Sequence, residues 1–273
     1  MIIASPSSFF IGNEDNWFGF VALSNDKTEL VIVFRGTLTT FEWIENATCT
    51  MEHLRGTVAE EGWDKIWNRK DLMVHAGFQQ LYEETPEGKE SPKTTVRRLV
   101  EEHKDTLDKI TCVGHSLGGA IAQLCAMDLA HHGVSGDVPV TAIAFASPKV
   151  GNARFAERAA TLHPKLRVLR LTNPVDSICN MPPDWFWFIT TGGFRHMGVE
   201  LSLSNKHLVE KKMLKNSGGA HHNLQMILHN IDPTRDVALM NKWGDPLEEK
   251  FSRRRNISPY WHSLTFPRTI YHT

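Results

Sequence analysis

The sequence predicts an α/β fold in which helices pack on a mostly parallel sheet. Short runs rich in Val, Ile and Phe alternate with amphipathic stretches of helical period. A Gly-x-Ser-x-Gly run joins one of these strands to the helix after it. No internal repeat breaks the alternation, and such alternation places helices over a parallel sheet. The 273 residues fit one large domain over 1–273, because single α/β domains reach about 250 residues.

The elements follow in order. Residues 17–23 (WFGFVAL) and 30–34 (LVIVF) read as strands, and the turn formers Ser24-Asn25-Asp26-Lys27 between them predict a hairpin. Residues 83–93 (EETPEGKESPK) are polar with two prolines and read as an exposed loop. A helix is expected over 94–107, where Val96, Leu99, Val100 and Leu107 share one face. Residues 110–113 form a short buried strand. A second helix spans 117–131, with Ile121, Leu124, Cys125 and Leu129 at helical spacing and Gly133 as its stop. A strand at 140–145, a helix at 152–162, a strand at 166–171 and a helix at 224–231 complete the pattern.

Composition excludes several classes. Thirty basic and 31 acidic residues give a formal charge of -1, which argues against a strongly basic nucleic-acid-binding protein. Hydrophobic residues at 41% and charged residues at 22% exclude wholesale disorder. The longest apolar run, 138–146, is far short of the ~20 residues a membrane span requires. Cys49, Cys112, Cys125 and Cys179 share no close spacing, so they read as buried free thiols and not as a zinc site. The opening Met-Ile-Ile-Ala-Ser-Pro lacks a basic start and a long apolar core. It predicts a cytoplasmic protein, with a plastid or secreted location left to a missing leader.

The chemistry centres on Gly114-His115-Ser116-Leu117-Gly118. A sharp strand-to-helix turn of this kind is a nucleophile elbow. Glycines on both sides remove the Cβ atoms that would collide with neighbouring elements. Ser116 Oγ then stands at the C-terminal edge of the sheet, above the positive end of a helix dipole. Such a serine needs a base and an orienting carboxylate, and the chain order for this elbow is Ser, acid, His. Asp176 follows the strand 166–171 and leads as the acid, with Asp184 as runner-up. Fourteen histidines compete for the base. His53, His75, His103 and His115 precede the serine, which violates that order. His131 and His132 close the elbow helix and read as a solvated, dipole-facing pair. His163, His196 and His207 stay open. The flexible run Ser217-Gly218-Gly219-Ala220 leads to His221-His222 just before a helix, and position alone does not choose between the two.

These motifs also carry a resemblance. The elbow with Gly119, Phe34-Arg35-Gly36-Thr37, Val74-His75-Ala76-Gly77-Phe78 and Ala146-Ser147-Pro148-Lys149-Val150-Gly151-Asn152 resemble the class 3 lipase family, within it the plant phospholipase A1 branch. So do Leu171-Thr172-Asn173-Pro174-Val175-Asp176, His222-Asn223-Leu224 and Arg235-Asp236-Val237-Ala238-Leu239-Met240-Asn241-Lys242. The resemblance implies the class 3 variant of the α/β-hydrolase fold. It assigns the acid to Asp176, the base to His222, and the oxyanion hole to the N–H groups of Leu117 and Thr37. It implies a short lid helix bearing Phe41, Trp43 and Ile44. The apolar run Trp185-Phe186-Trp187-Phe188 lies near the expected site mouth as an acyl-pocket or interface loop.

The expected activity is hydrolysis of a glycerolipid acyl ester, of phospholipase A1 type, with transient contact with a lipid surface. A triacylglycerol or monoacylglycerol lipase is the alternative. A non-catalytic lipase-like interaction module is the alternative of another class. No metal or cofactor is called for, and the oligomeric state is unread. Five basic and no acidic residues over 250–273 add a weak pull toward anionic lipid.

Overall fold

The computed structural model describes residues 9–12, 17–36, 50–56, 71–84, 90–183, 193–204 and 221–232. Strands β1 (Phe9–Gly12), β2 (Trp17–Leu23) and β3 (Glu29–Phe34) run antiparallel in sequence. The hairpin turn between β2 and β3 closes as the sequence predicts. Ser24 N–H donates to Glu29 O at 2.9 Å, and Ser24 Oγ donates to Asp26 Oδ1 at 2.6 Å. Side chains along β3 alternate in burial, so Leu30, Ile32 and Phe34 face the core.

Short strands β4 (Met51–His53) and β5 (Met73–His75) follow, then helices α1 (Ala76–Glu83) and α2 (Pro92–His103). Helix α2 begins two residues before the predicted start, inside the expected loop. Ser91 is its N-cap, accepting from Thr94 N–H at 3.1 Å, and Pro92 takes the first turn. Proline is tolerated there because that amide has no helical partner. The helix also stops at His103, four residues early.

The central part alternates as expected: β6 (Lys109–His115), α3 (Leu117–His131), β7 (Val140–Phe145), β8 (Gly151–Asn152), α4 (Ala153–Thr161) and β9 (Leu166–Thr172). Asn152 caps α4 by accepting from Phe155 N–H at 3.0 Å. After β9 come β10 (Phe194–Arg195), β11 (Val199–Ser202) and α5 (Leu224–Ile231). Among the described residues the main sheet has seven strands in the order β1-β2-β3-β6-β7-β9-β11, parallel from β3 onward. A second, four-stranded sheet has the order β10-β8-β5-β4. Its two- and three-residue strands are too short to show alternation, which is why periodicity misses them.

Helix α3 is buried along all but its last residue and packs on β3, β6, β7 and α1. A helix apolar on every side belongs in a core. One charge interrupts it. Asp128, 2% exposed, receives Arg97 in a two-pronged bond, Nε to Oδ2 at 2.9 Å and Nη2 to Oδ1 at 2.6 Å. Tyr82 Oη donates to Oδ2 at 3.1 Å, and Lys93 Nζ lies 3.7 Å from Oδ1. His132 Nδ1 sits 3.1 Å from Oδ1. This corrects the reading of His132 as a solvated cap: it joins an ion cluster tying α1, α2 and α3 together. Its neighbour His131 accepts from Arg158 Nε at 3.1 Å. Cys112, Cys125 and Cys179 are free and buried, as the sequence predicts; Cys49 lies outside the described residues. Among the described residues, no helix is long and apolar enough to cross a membrane.

Candidate active site

The site assembles where parallel strands end. Ser116 stands between β6 and α3 with φ 57 and ψ -126, a conformation L-residues rarely adopt. Its N–H donates to Phe145 O at 2.8 Å, which pins the turn to the end of β7. Main chain packs on main chain around it. A Cβ at Gly114 would overlap the carbonyl of Gly118, and one at Gly118 would overlap Phe34 O. Both glycines are therefore required by close approach, as the motif predicts. The serine is 1% exposed, and its Oγ has no hydrogen-bond partner among the described residues. Leu117 N–H is the first amide of α3, one of the four donors that a helix cannot satisfy itself.

Asp176 lies beyond the C-terminal end of β9 and is fully buried. It caps a 3-10 turn (Ser177–Asn180): Ile178 N–H donates to Oδ1 at 3.0 Å. Its other oxygen, Oδ2, lies 2.7 Å from His222 Nδ1. The structure thus distinguishes the adjacent histidines: the His222 ring meets Asp176, while His221 accepts from Asn173 through its backbone carbonyl. Asn223, next in the chain, caps α5 by accepting from Gln225 N–H at 2.8 Å, which fixes the exit of the segment bearing His221 and His222.

Two side chains hold that loop by its carbonyls. His115 Nε2 donates to His222 O at 2.8 Å, and Asn173 Nδ2 donates to His221 O at 3.1 Å. The first reaches across from the serine strand, the second from the acid strand. Chain order excluded His115 as base, and the structure gives it this supporting place. Of the other open histidines, His196 donates its Nε2–H to Cys179 O at 2.7 Å, beneath the acid turn. His163 follows α4, away from the acid.

Several expected positions lie outside the described residues. They are Thr37 of the oxyanion hole, the lid residues Phe41, Trp43 and Ile44, the interface run Trp185, Phe186, Trp187 and Phe188, and also Asp184 and His207. The chain leading to Thr37 is described: a Cβ on Gly36 would stand 3.4 Å from Ser116 Cβ, so this segment runs against the elbow.

Residues 31–186 match the family described as Lipase (class 3). The chain belongs to the class 3 lipase family. Among the relatives of this lipase-family chain is Phospholipase A1-II 4 of Oryza sativa subsp. japonica, 31% identical over 94% of this chain and 67% of the relative. Phospholipase A1-Igamma2, chloroplastic, of Arabidopsis thaliana is 33% identical over 90% of this chain and 53% of the relative. The chain thus spans about half the length of that chloroplastic relative. The solved triacylglyceride lipase of Rhizomucor miehei shares the fold, with a TM-score of 0.55 at 24% identity over 74% of this chain and 67% of that one. A second solved triacylglycerol lipase, described as having a serine protease triad at its catalytic centre, gives a TM-score of 0.54 at 25% identity over 72% of this chain and 65% of that one. The fold of this chain is accordingly that of the α/β-hydrolases.

Burial around the site has a consequence for stability. Burial pushes the imidazoles of His75 and His115 down to about 4, and the nearby His222 adds to the effect on His115. Burial, with Arg170 beside it, does the same to His196. Each ring therefore binds its proton in the unfolded chain first, near pH ~6.5. Stability is full above that pH and is lost as pH falls toward 4, by roughly 2 kcal/mol per ring at pH 5. The expected result is a urea midpoint that drops clearly between pH 7 and pH 5. A midpoint that stays level over this range contradicts it.

Proposed function

We propose that this chain is a serine acyl-ester hydrolase of glycerolipids, acting as one α/β-hydrolase domain, and that its activity is of phospholipase A1 type. The observation that carries the reading is the 2.7 Å contact between His222 Nδ1 and Asp176 Oδ2, made beside a strained serine on a glycine-walled elbow. Ser116 Oγ attacks the ester carbonyl as its proton passes to His222 Nε2. Asp176 holds Nδ1–H and stabilises the imidazolium that forms. The N–H groups of Leu117 and Thr37 receive the oxyanion, an interaction worth about 10²–10³ in turnover per donor. The glycerol oxygen then leaves with the proton from His222. The same histidine takes a proton from water, which attacks the acyl-serine and releases the fatty acid.

The substrate class is supported by the relatives' names, phospholipase A1 in rice and Arabidopsis and a chloroplastic galactolipase at 35% identity. A neutral-lipid lipase is the second reading, favoured by the triacylglycerol lipase at 25% identity. The reading includes transient contact with a lipid surface, for which Phe41, Trp43, Ile44 and the aromatic run 185–188 are the sequence candidates. Several of the relatives are named chloroplastic.

The test is fatty-acid release from phosphatidylcholine labelled separately at its sn-1 and sn-2 chains, with triolein alongside, for wild type and Ser116→Ala. Serine-dependent release of the sn-1 label is expected. Release from triolein alone transfers the assignment to neutral lipid. Release that persists in Ser116→Ala removes the serine mechanism.

A further inference from the structure

The carboxylate of Asp176 has more than one partner on the oxygen that meets the base. Cys179 lies three residues on, in the same 3-10 turn, and its Sγ donates to Asp176 Oδ2 at 3.4 Å. This is the oxygen that also lies 2.7 Å from His222 Nδ1. The second oxygen is held separately by Ile178 N–H at 3.0 Å. We propose that Cys179 is a positioning residue, whose thiol S–H, together with the Ile178 N–H, locks the Asp176 carboxylate in the orientation that receives His222.

The direction of the thiol hydrogen follows from its surroundings. The sulfur lies against the buried carboxylate of Asp176. Its one hydrogen goes to the carboxylate, which when ionised can only accept. Burial, reinforced by the Asp176 charge, pushes the thiol well above its ordinary range, so it keeps that hydrogen at any working pH. The turn beneath is anchored as well: His196 Nε2–H donates to Cys179 O at 2.7 Å, and Lys149 N–H donates to Met181 O at 2.8 Å. The acid is therefore clamped on both oxygens, and the residue that clamps the reacting side is itself fixed from the sheet.

Without the thiol, Oδ2 serves His222 alone. The carboxylate is then held only by Ile178 N–H on one oxygen and by His222 on the other, and turns more easily about its last bond. A lone donor on an under-satisfied buried anion forms a tighter bond. Two effects follow. The Nδ1–H of His222 moves closer to Oδ2, and the ring is less often aligned for Ser116.

The inference rests on the hydrolase reading, and its test separates the two. Cys179→Ala, Cys179→Val and Cys179→Ser are compared with wild type. The two readouts are hydrolysis of a short-chain soluble ester and the downfield proton NMR signal of His222 Nδ1–H, identified by its loss in His222→Gln. Valine fills the volume without a donor, and serine restores a donor. The expected result is a kcat about 10-fold lower in the alanine and valine variants at unchanged KM, with their Nδ1–H signal moved downfield. Serine returns both toward wild type. A signal that stays at the wild-type position in both the alanine and valine variants overturns the role of Cys179. So does a serine variant that behaves like alanine. Absence of serine-dependent hydrolysis in wild type overturns the function instead, and the NMR comparison is read without turnover.

Discussion

With Ser116 as the proposed nucleophile, Ser116→Ala is expected to bring ester hydrolysis down by about 10⁶ in kcat, the loss typical when the nucleophile of a serine triad is removed, and to leave the fold as stable as before. The unchanged stability is a specific expectation. Ser116 Oγ makes no hydrogen bond among the described residues, so deleting it removes little binding energy. The strain at φ 57 stays, because alanine carries the same Cβ. Ser116→Gly separates the two contributions. It is equally inactive, but glycine adopts positive φ freely. Relief of about 1–3 kcal/mol of strain, less about 0.5–1 kcal/mol for glycine's added freedom in the unfolded chain, leaves a net gain near 1 kcal/mol. Thermal unfolding then rises by about 2–4 °C for a chain of this size. A glycine variant that melts below the alanine variant would show that the elbow is not strained.

Asp128→Ala is expected to destabilise the fold by about 3–5 kcal/mol, the range for breaking a buried ion pair by removing one partner. Four side chains lose their common acceptor: Arg97, Tyr82, His132 and Lys93. Burial pushes the Asp128 carboxyl up, but the hydrogen bonds from His132 and Arg97 and the charge of Lys93 outweigh it and hold the group well below the usual carboxylate range. Its contribution is therefore present at and above ordinary carboxylate pKa values and is lost only in strong acid. Asp128→Asn keeps the shape and most acceptors without the charge, and falls between wild type and alanine. Urea unfolding of the three proteins at pH 7 checks this. Equal midpoints would mean that the cluster is worth no more than a surface pair.

The sequence carried the parts of this site that are matters of spacing. The elbow is legible because a strand, two glycines, a serine and a helix start follow one another in five residues. Asp176 is legible because acids of such sites follow strands, and the strand before it is clear. His221 and His222 are equivalent in spacing, since the choice depends on which ring faces Asp176 across folded space. What spacing does not reveal is support. Chain order sets His115 aside as a base, and in the fold it holds the segment of His221 and His222 through the His222 carbonyl. Asn173 and Cys179 look like ordinary loop residues until Asp176 and His221 are brought beside them. Asp128 did leave a signal, a lone carboxylate inside the apolar run LCAMDLAHH. Reading His132 as a solvated cap missed the same cluster. Likewise Ser91-Pro92 carried a helix start that apolar periodicity alone placed two residues late.

The bond from His115 to His222 O joins residues 107 apart in the chain. Contacts of such separation form late, because the intervening chain must be closed before they gain anything. Ser116 and its strand are complete by Leu117, and Asp176 by the end of its turn at Asn180, yet His222 reaches them only when residues 221–222 dock. Recovery of hydrolysis during refolding is therefore a clock for that last docking event. It should trail the return of helical circular dichroism, which reports the sheet and helices assembled without it.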